Sequence, residues 1–296
     1  MELVTLFYLI DEFCKEYEPA WQQSLLDSGV RQRRSHSRLS LAEILTIIIF
    51  FHTSGYRMFK WYYEREIQGT TFTGSCFPGA VSYTRFLELM AASVVPLGHC
   101  LMWLCSLSAR TGIQFIDSTS IVVCSNLRIN RHRVFVGSAA RGRTSEGWFF
   151  GFKLHIIVND RGELLAVRIT PGNVSDANKS VVMGLARGLQ GKLFGDKGYL
   201  SKEVFDQLWT QGLQLVTNIR SNMKQRLLPL WDKLMLRKRF IIETVNDHLK
   251  NNEQIEHSRH RSFTNFSVNL LAGLVAYQLQ PKKPCIRIPK VLMLGA

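Results

Sequence analysis

The 296-residue sequence has six cysteines but no CxxC pair and no Cys/His set at zinc spacing. A structural zinc site and a CxxC redox motif are therefore excluded, and mostly buried thiols in a reducing compartment are expected. Long hydrophobic runs are missing too. Leu41–Phe51, broken by Glu43, and Val268–Leu279 fall short of the ~18–20 residues a membrane span needs. Ser93–Leu107 comes closer, but Pro96, Gly98 and His99 interrupt it, so a core helix is expected there. Glu2, Asp11 and Glu12 stand where a signal peptide would carry basic residues, so neither a signal peptide nor a membrane partner is expected. Repeats and low-complexity tracts are absent.

Acid is also in short supply. Lys and Arg number 37 against 23 Asp and Glu, a net charge of +14, and 46% of residues are hydrophobic, enough for a core. Residues 1–110 are neutral overall, 111–220 carry a net +6 and 221–296 a net +8. Basic clusters stand out: Arg31, Arg33, Arg34 and Arg38; Arg128, Arg131, Arg133, Arg141 and Arg143; Arg237-Lys238-Arg239; and Lys282-Lys283 with Arg287 and Lys290. One such run is usually a solvated face, but several together favour a polyanion, since each neutralised phosphate releases counterions.

Residues 1–108 read as helical, with Leu3–Glu16, Leu41–His52 capped by Ser40, Met58–Ile67, Tyr83–Ala92 and Leu97–Leu107. Phe72–Gly79 reads as a turn-rich link. From Gly112 the period becomes two. Ile113, Phe115 and Asp117 share a strand face, and the strand continues through Ile121–Cys124. A basic loop follows. Trp148–Val158 and Leu164–Thr170 form a hairpin about Asn159-Asp160-Arg161-Gly162. Ser175 or Asp176 is expected to cap a helix to about Leu189. A strand (Lys192–Asp196), a helix (Lys202–Trp209), a strand (Leu213–Ile219), a basic segment, a helix from about Ile241 and a last helix over Phe263–Gln280 complete the order. A meander followed by strand–helix alternation calls for a mixed sheet in an α/β fold.

Asp117 and Asp196 each end an apolar strand, and Glu243 opens a helix. An acid beside a buried strand needs a partner. A hard divalent cation is one solution; a turn cap, a pair with Lys197 and a helix-dipole acid are the plainer ones. Arg239, Glu243 and Lys250 are spaced 4 and 7 apart and so share a helix face, with Asn246 on it.

Five segments together resemble the DDE transposases of bacterial insertion sequences: Phe115-Ile116-Asp117-Ser118-Thr119, Gly151-Phe152-Lys153-Leu154-His155, Thr170-Pro171-Gly172-Asn173-Val174-Ser175-Asp176, Phe194-Gly195-Asp196-Lys197-Gly198-Tyr199 and Arg239-x3-Glu243-x6-Lys250. The insertion sequence 982 family is the nearest resemblance. Related families carry a Tyr three positions before that Arg, as Tyr-x2-Arg-x3-Glu-x6-Lys; here Leu236 stands in its place.

The resemblance implies an RNase H-like, retroviral-integrase-type mixed-sheet catalytic core behind an all-α N-terminal domain. Residues 1–108 would be the helical DNA-binding region, 109–281 the catalytic domain and 282–296 a basic tail. Asp117, Asp196 and Glu243 would form the catalytic, metal-binding triad, separated by 78 and 46 residues. They would hold two Mg²⁺ per site, with Mn²⁺ as a substitute.

The partner implied is double-stranded DNA, as element ends and as target, engaged by a homodimer in the cytoplasm and at the nucleoid. The reaction would be strand cleavage followed by transfer of a 3′-hydroxyl. Expected DNA contacts are Arg239, Lys250, Lys153, His155, Arg31, Arg33, Arg34, Arg131, Arg133, Arg141 and Arg143. Asp176 is expected to cap a helix outside the triad, and Trp148 to pack in the core rather than stack on a base. A metal-dependent nuclease without strand transfer, or an inactive DNA-binding relic acting as a repressor, are the alternatives.

Overall fold

The computed structural model describes residues 2–29, 37–145, 147–218, 227–256 and 260–287. Its contacts divide the chain into two compact units: Met1–Leu104 with Leu249–Pro281, and Cys105–His248 with Lys282–Ala296.

The described residues of the first unit hold helices and no strand: α1 (Leu3–Asp27), α2 (Leu41–Phe51), α3 (Phe59–Tyr62), α4 (Phe72–Ser75), α5 (Tyr83–Ala92) and most of α6 (Val94–Leu107). Ser40 caps α2 in a reciprocal box with Glu43, which ties down the start of a helix whose residues are nearly all buried. α1 runs eleven residues beyond Glu16, past Pro19, and the expected link at Phe72 forms a single helical turn. No single helix among the described residues is long and apolar enough to cross a membrane.

The second unit is built on a six-stranded sheet: β1 (Ile113–Cys124), β2 (Ala140–Thr144), β3 (Gly147–Asn159), β4 (Leu164–Pro171), β5 (Gly191–Gly195) and β6 (Leu213–Thr217). β1, β3 and β4 form the antiparallel meander. β5 joins β1 in parallel, and β6 joins β5 in parallel. Four helices complete the described order: α7 (Lys179–Leu185), α8 (Lys202–Thr210), α9 (Leu230–Lys238) and α10 (Phe240–Asn251). The division between units falls within α10, and α11 (Phe263–Leu279) packs on α2 and α5 in the first unit. Sequence grouping had put α11 with the sheet; burial of most of its circumference, from Phe266 to Gln278, is met by helices instead.

Side-chain parity assigns the two sheet faces. Ile116 lies directly opposite Ile157. On that face both join Leu193, Leu213 and Leu215 with Val181 and Val182 of α7 and Val204 and Leu208 of α8. Phe115 and Asp117 point the other way. There Phe115 stacks on Phe194 of β5 with ring centroids 5.6 Å apart. Gly151 is forced by a close strand approach, since a Cβ there would sit 2.0 Å from Ile121 O.

Three expectations need correction. β2 replaces part of the basic loop; its Arg-Gly-Arg core has little strand propensity, and only the overhang of β3 offers it hydrogen bonds. α9 stands where a basic segment was expected, held by buried Met235, Leu236 and Asp232, the last paired with Lys192 Nζ at 2.6 Å. α7 starts later and ends earlier than expected, and Asn178 rather than Ser175 or Asp176 caps it by accepting from the backbone N–H of Val181.

Candidate active site

Pairing fixes the positions of two acids. β1 and β5 are in register at Phe115 and Phe194, so Asp117 and Asp196 each stand two residues beyond the same stacked ring pair. Gly195 allows close packing there: a Cβ would lie 3.0 Å from Ile116 Cγ2 and 3.3 Å from the ring of buried Tyr199. Asp117 is half-buried and Asp196 exposed.

α10 supplies the third acid. Asn246, buried on this helix, donates from Nδ2 to Asp117 Oδ2 at 3.1 Å. One turn earlier Glu243 is exposed and accepts from Arg239 Nη2 at 3.1 Å. Burial pushes the Asp117 carboxyl up to about 6, helped by the negative charges of Asp176 and Glu243 and opposed by the Ser118 N–H and Arg239.

Asp176, freed from any capping role, reaches the same stretch of β1. Its Oδ1 accepts from Ser118 Oγ at 2.6 Å and from Lys153 Nζ at 2.9 Å. Lys153 is therefore buried in an ion pair, and His155 is fully buried with Nε2 on Thr170 Oγ1 at 2.9 Å. Burial lowers the His155 pKa to about 4, which leaves it neutral. Their expected role as DNA contacts is corrected: neither presents a cation to the surface. Nothing in the local sequence separates a strand lysine that meets water from one that meets an acid 23 residues away.

The other expected contacts divide. Arg131, Arg133, Arg141 and Arg143 are exposed. Lys250, assigned to the first unit, pairs with Glu256 at 3.2 Å. Arg31, Arg33 and Arg34 lie outside the described residues. Trp148, expected in the core, is 62% exposed.

Among the described residues no three His, Cys, Asp or Glu side chains lie close enough to hold one metal ion together. The donors nonetheless suit a hard divalent cation. All three acids offer carboxylate oxygens, and at half-buried Asp117 the cost of burial outweighs the nearby charge of Arg239. Asp196 and Glu243 are exposed side chains with room to change rotamer.

Residues 107–263, more than half of the chain, match the family profile described as Transposase DDE domain. No curated protein matches the chain. Among solved structures, the chain is similar to the piggyBac transposase in a synaptic complex with hairpin DNA, at 10% identity over 94% of this chain and 74% of that one, with a TM-score of 0.47. It is also similar to the Mos1 mariner paired-end complex with Mn, at 12% identity over 82% of this chain and 88% of that one, TM-score 0.26. The Mos1 paired-end complex with the left transposon end gives 13% identity over 83% and 80%, TM-score 0.26.

Proposed function

The chain belongs to the DDE transposase family and is a DNA transposase, and on that premise we propose that Asp117, Asp196 and Glu243 are the acids that hold its divalent metal. The observation that carries this reading is the matched position of Asp117 and Asp196 beyond the Phe115–Phe194 pair. The strand order, a three-stranded antiparallel meander extended by two parallel strands, supports an RNase H-like core. Membership of the insertion sequence 982 group rests on the motif resemblance.

Mg²⁺ or Mn²⁺, when bound, supplies Lewis-acid polarisation of the phosphate and an activated oxygen nucleophile. The chain's own residues do the rest. Asn246 donates to Asp117 Oδ2 and so fixes the orientation of that carboxylate. Asp176 ties Ser118 to Lys153 and braces the stretch of β1 that carries Asp117, a positioning role. Arg239 pairs with Glu243, which would hold the metal, and its five donors would let it also bind a DNA phosphate. Strand cleavage at element ends and transfer of the freed 3′-hydroxyl to target DNA, by a dimer acting at the nucleoid, complete the proposal.

The test is Mg²⁺-dependent cleavage of end-bearing DNA, together with joining of pre-nicked ends, by the wild type and Asp196→Ala. Asp196 is exposed, so the variant should fold as the wild type does. Both reactions should fall by on the order of a thousandfold or more. Equal activity in the two proteins would end the triad assignment. Cleavage without joining would leave a nuclease.

A further inference from the structure

At the far end of the β1–β3 ladder the chemistry changes sign. No Asp or Glu occurs between Asp117 and Glu146, while Arg128, Arg131, Arg133, Arg141 and Arg143 do. All five arginines are exposed. Arg143 lies directly opposite Trp148, and Arg141 opposite Phe150, so the four side chains share one face of the β2–β3 hairpin. Phe150 is buried, with the His132 ring edge-on at 6.4 Å.

Trp148 has no such cover. The Arg143 guanidinium carbon lies 5.8 Å from its ring centroid, and Asn126 Nδ2 donates to its backbone carbonyl at 2.7 Å, fixing the ring's root. A mostly exposed indole beside Arg143, with Arg141 on the same hairpin face, is a costly arrangement for a free surface. It is an ordinary one for a surface that meets nucleic acid, where arginines take phosphates and aromatics take bases.

Parity connects this surface to the acids. Trp148 and Ile156 lie on the same face of β3, and Ile156 is directly opposite Asp117. They are eight positions apart along β3, about 26 Å at ~3.3 Å per residue.

We propose that Trp148 is a stacking platform for an unpaired nucleobase of the bound DNA, with Arg141 and Arg143 holding the phosphates of that strand. Phosphate contact alone would need no indole. A paired base hides both faces in the helical stack, so the ring's partner must be an unstacked one. The proposal rests on the chain being a DNA-binding transposase, but on none of the three acids.

The experiment uses the full chain in EDTA. Two labelled duplexes of one sequence are compared, one fully paired and one with a single bulged 2-aminopurine. The wild type should prefer the bulged duplex by about tenfold to a hundredfold and should quench the 2-aminopurine emission. Trp148→Ala should lose the preference and the quenching while binding the paired duplex within about twofold. Trp148→Phe should keep most of both.

Equal affinity of Trp148→Ala and wild type for the bulged duplex would overturn the proposal. So would equal loss on both duplexes, or a change in sedimentation state, which would assign the indole to contact with a second copy. Absence of cleavage with every metal would defeat the triad and leave this result standing.

Discussion

Lys153 and His155 lie in the middle of β3, and Arg141, Arg143 and Trp148 lie at its hairpin end and on the strand beside it. In the sequence the basic residues of both groups, Lys153 and His155 on a strand and Arg141 and Arg143 in a basic loop just before it, read alike as DNA contacts. In the structure the middle has sheet neighbours on both sides, and β4 brings Thr170 opposite Lys153. The charge there is either neutralised, as in the Lys153–Asp176 pair, or removed, as in neutral His155. At the end β3 outruns β4, and its only partner beyond Phe150 is the short β2. Cations there keep their water. What decides whether a basic residue on a sheet can meet DNA is how far its strand is paired, not its position in a charge run.

That contrast can be broken most directly at Lys153. Lys153→Met should lower the unfolding free energy by roughly 1–3 kcal/mol, since it leaves Asp176 half-buried without its cation. Chemical denaturation reads the loss, and the DNA affinity of the folded variant should stay unchanged. Weakened DNA binding with unchanged stability would return Lys153 to the surface role.

The opposite pattern is expected for the double variant Arg141→Ala with Arg143→Ala. Affinity for DNA should drop about tenfold at moderate salt, and the dependence of log affinity on log salt should flatten by about one to two. Its stability should stay within about 0.5 kcal/mol of the wild type.

A smaller effect sharpens the picture at the acid end. Asp117 has a folded pKa raised to about 6 from 3.8. The folded state therefore holds its proton more tightly, so this group favours folding most below about pH 4 and progressively less as pH rises through 6. Without metal, Asp117→Asn should gain roughly 1–2 kcal/mol at pH 7, with the gain vanishing near pH 4. Mg²⁺ or Mn²⁺ should raise the melting temperature of the wild type but not of this variant. A destabilised Asp117→Asn at pH 7 would show that the carboxylate already has a sufficient partner.

Much of this arrangement was legible in the residues. The period-two pattern from Ile113 placed β1, the Asn159–Gly162 turn placed the hairpin, and Gly162 has the positive φ, +71°, that the turn requires. Ser40 with Glu43 announced α2. Asp117, Asp196 and Glu243 stood out because each is an acid at the end of an apolar run.

What stayed hidden depends on partners distant in sequence. β2 is a strand only because β3 overhangs beside it. Asp176 reads as a cap until Asn178 is seen to cap instead, and its bond to Ser118 spans 58 residues. Trp148 has the composition of a core residue, and only the missing cover on its face shows otherwise.

Phe115 and Phe194 stack at the last of three in-register pairs between β1 and β5, which begin at Ile113 and Lys192. The exposed end of the β2–β3 hairpin lies outside that anchor, so it can trade one set of side chains for another without moving Asp117 against Asp196. The opposite trade is barred: sliding β5 by a single residue would turn Asp196 to the far side of the sheet.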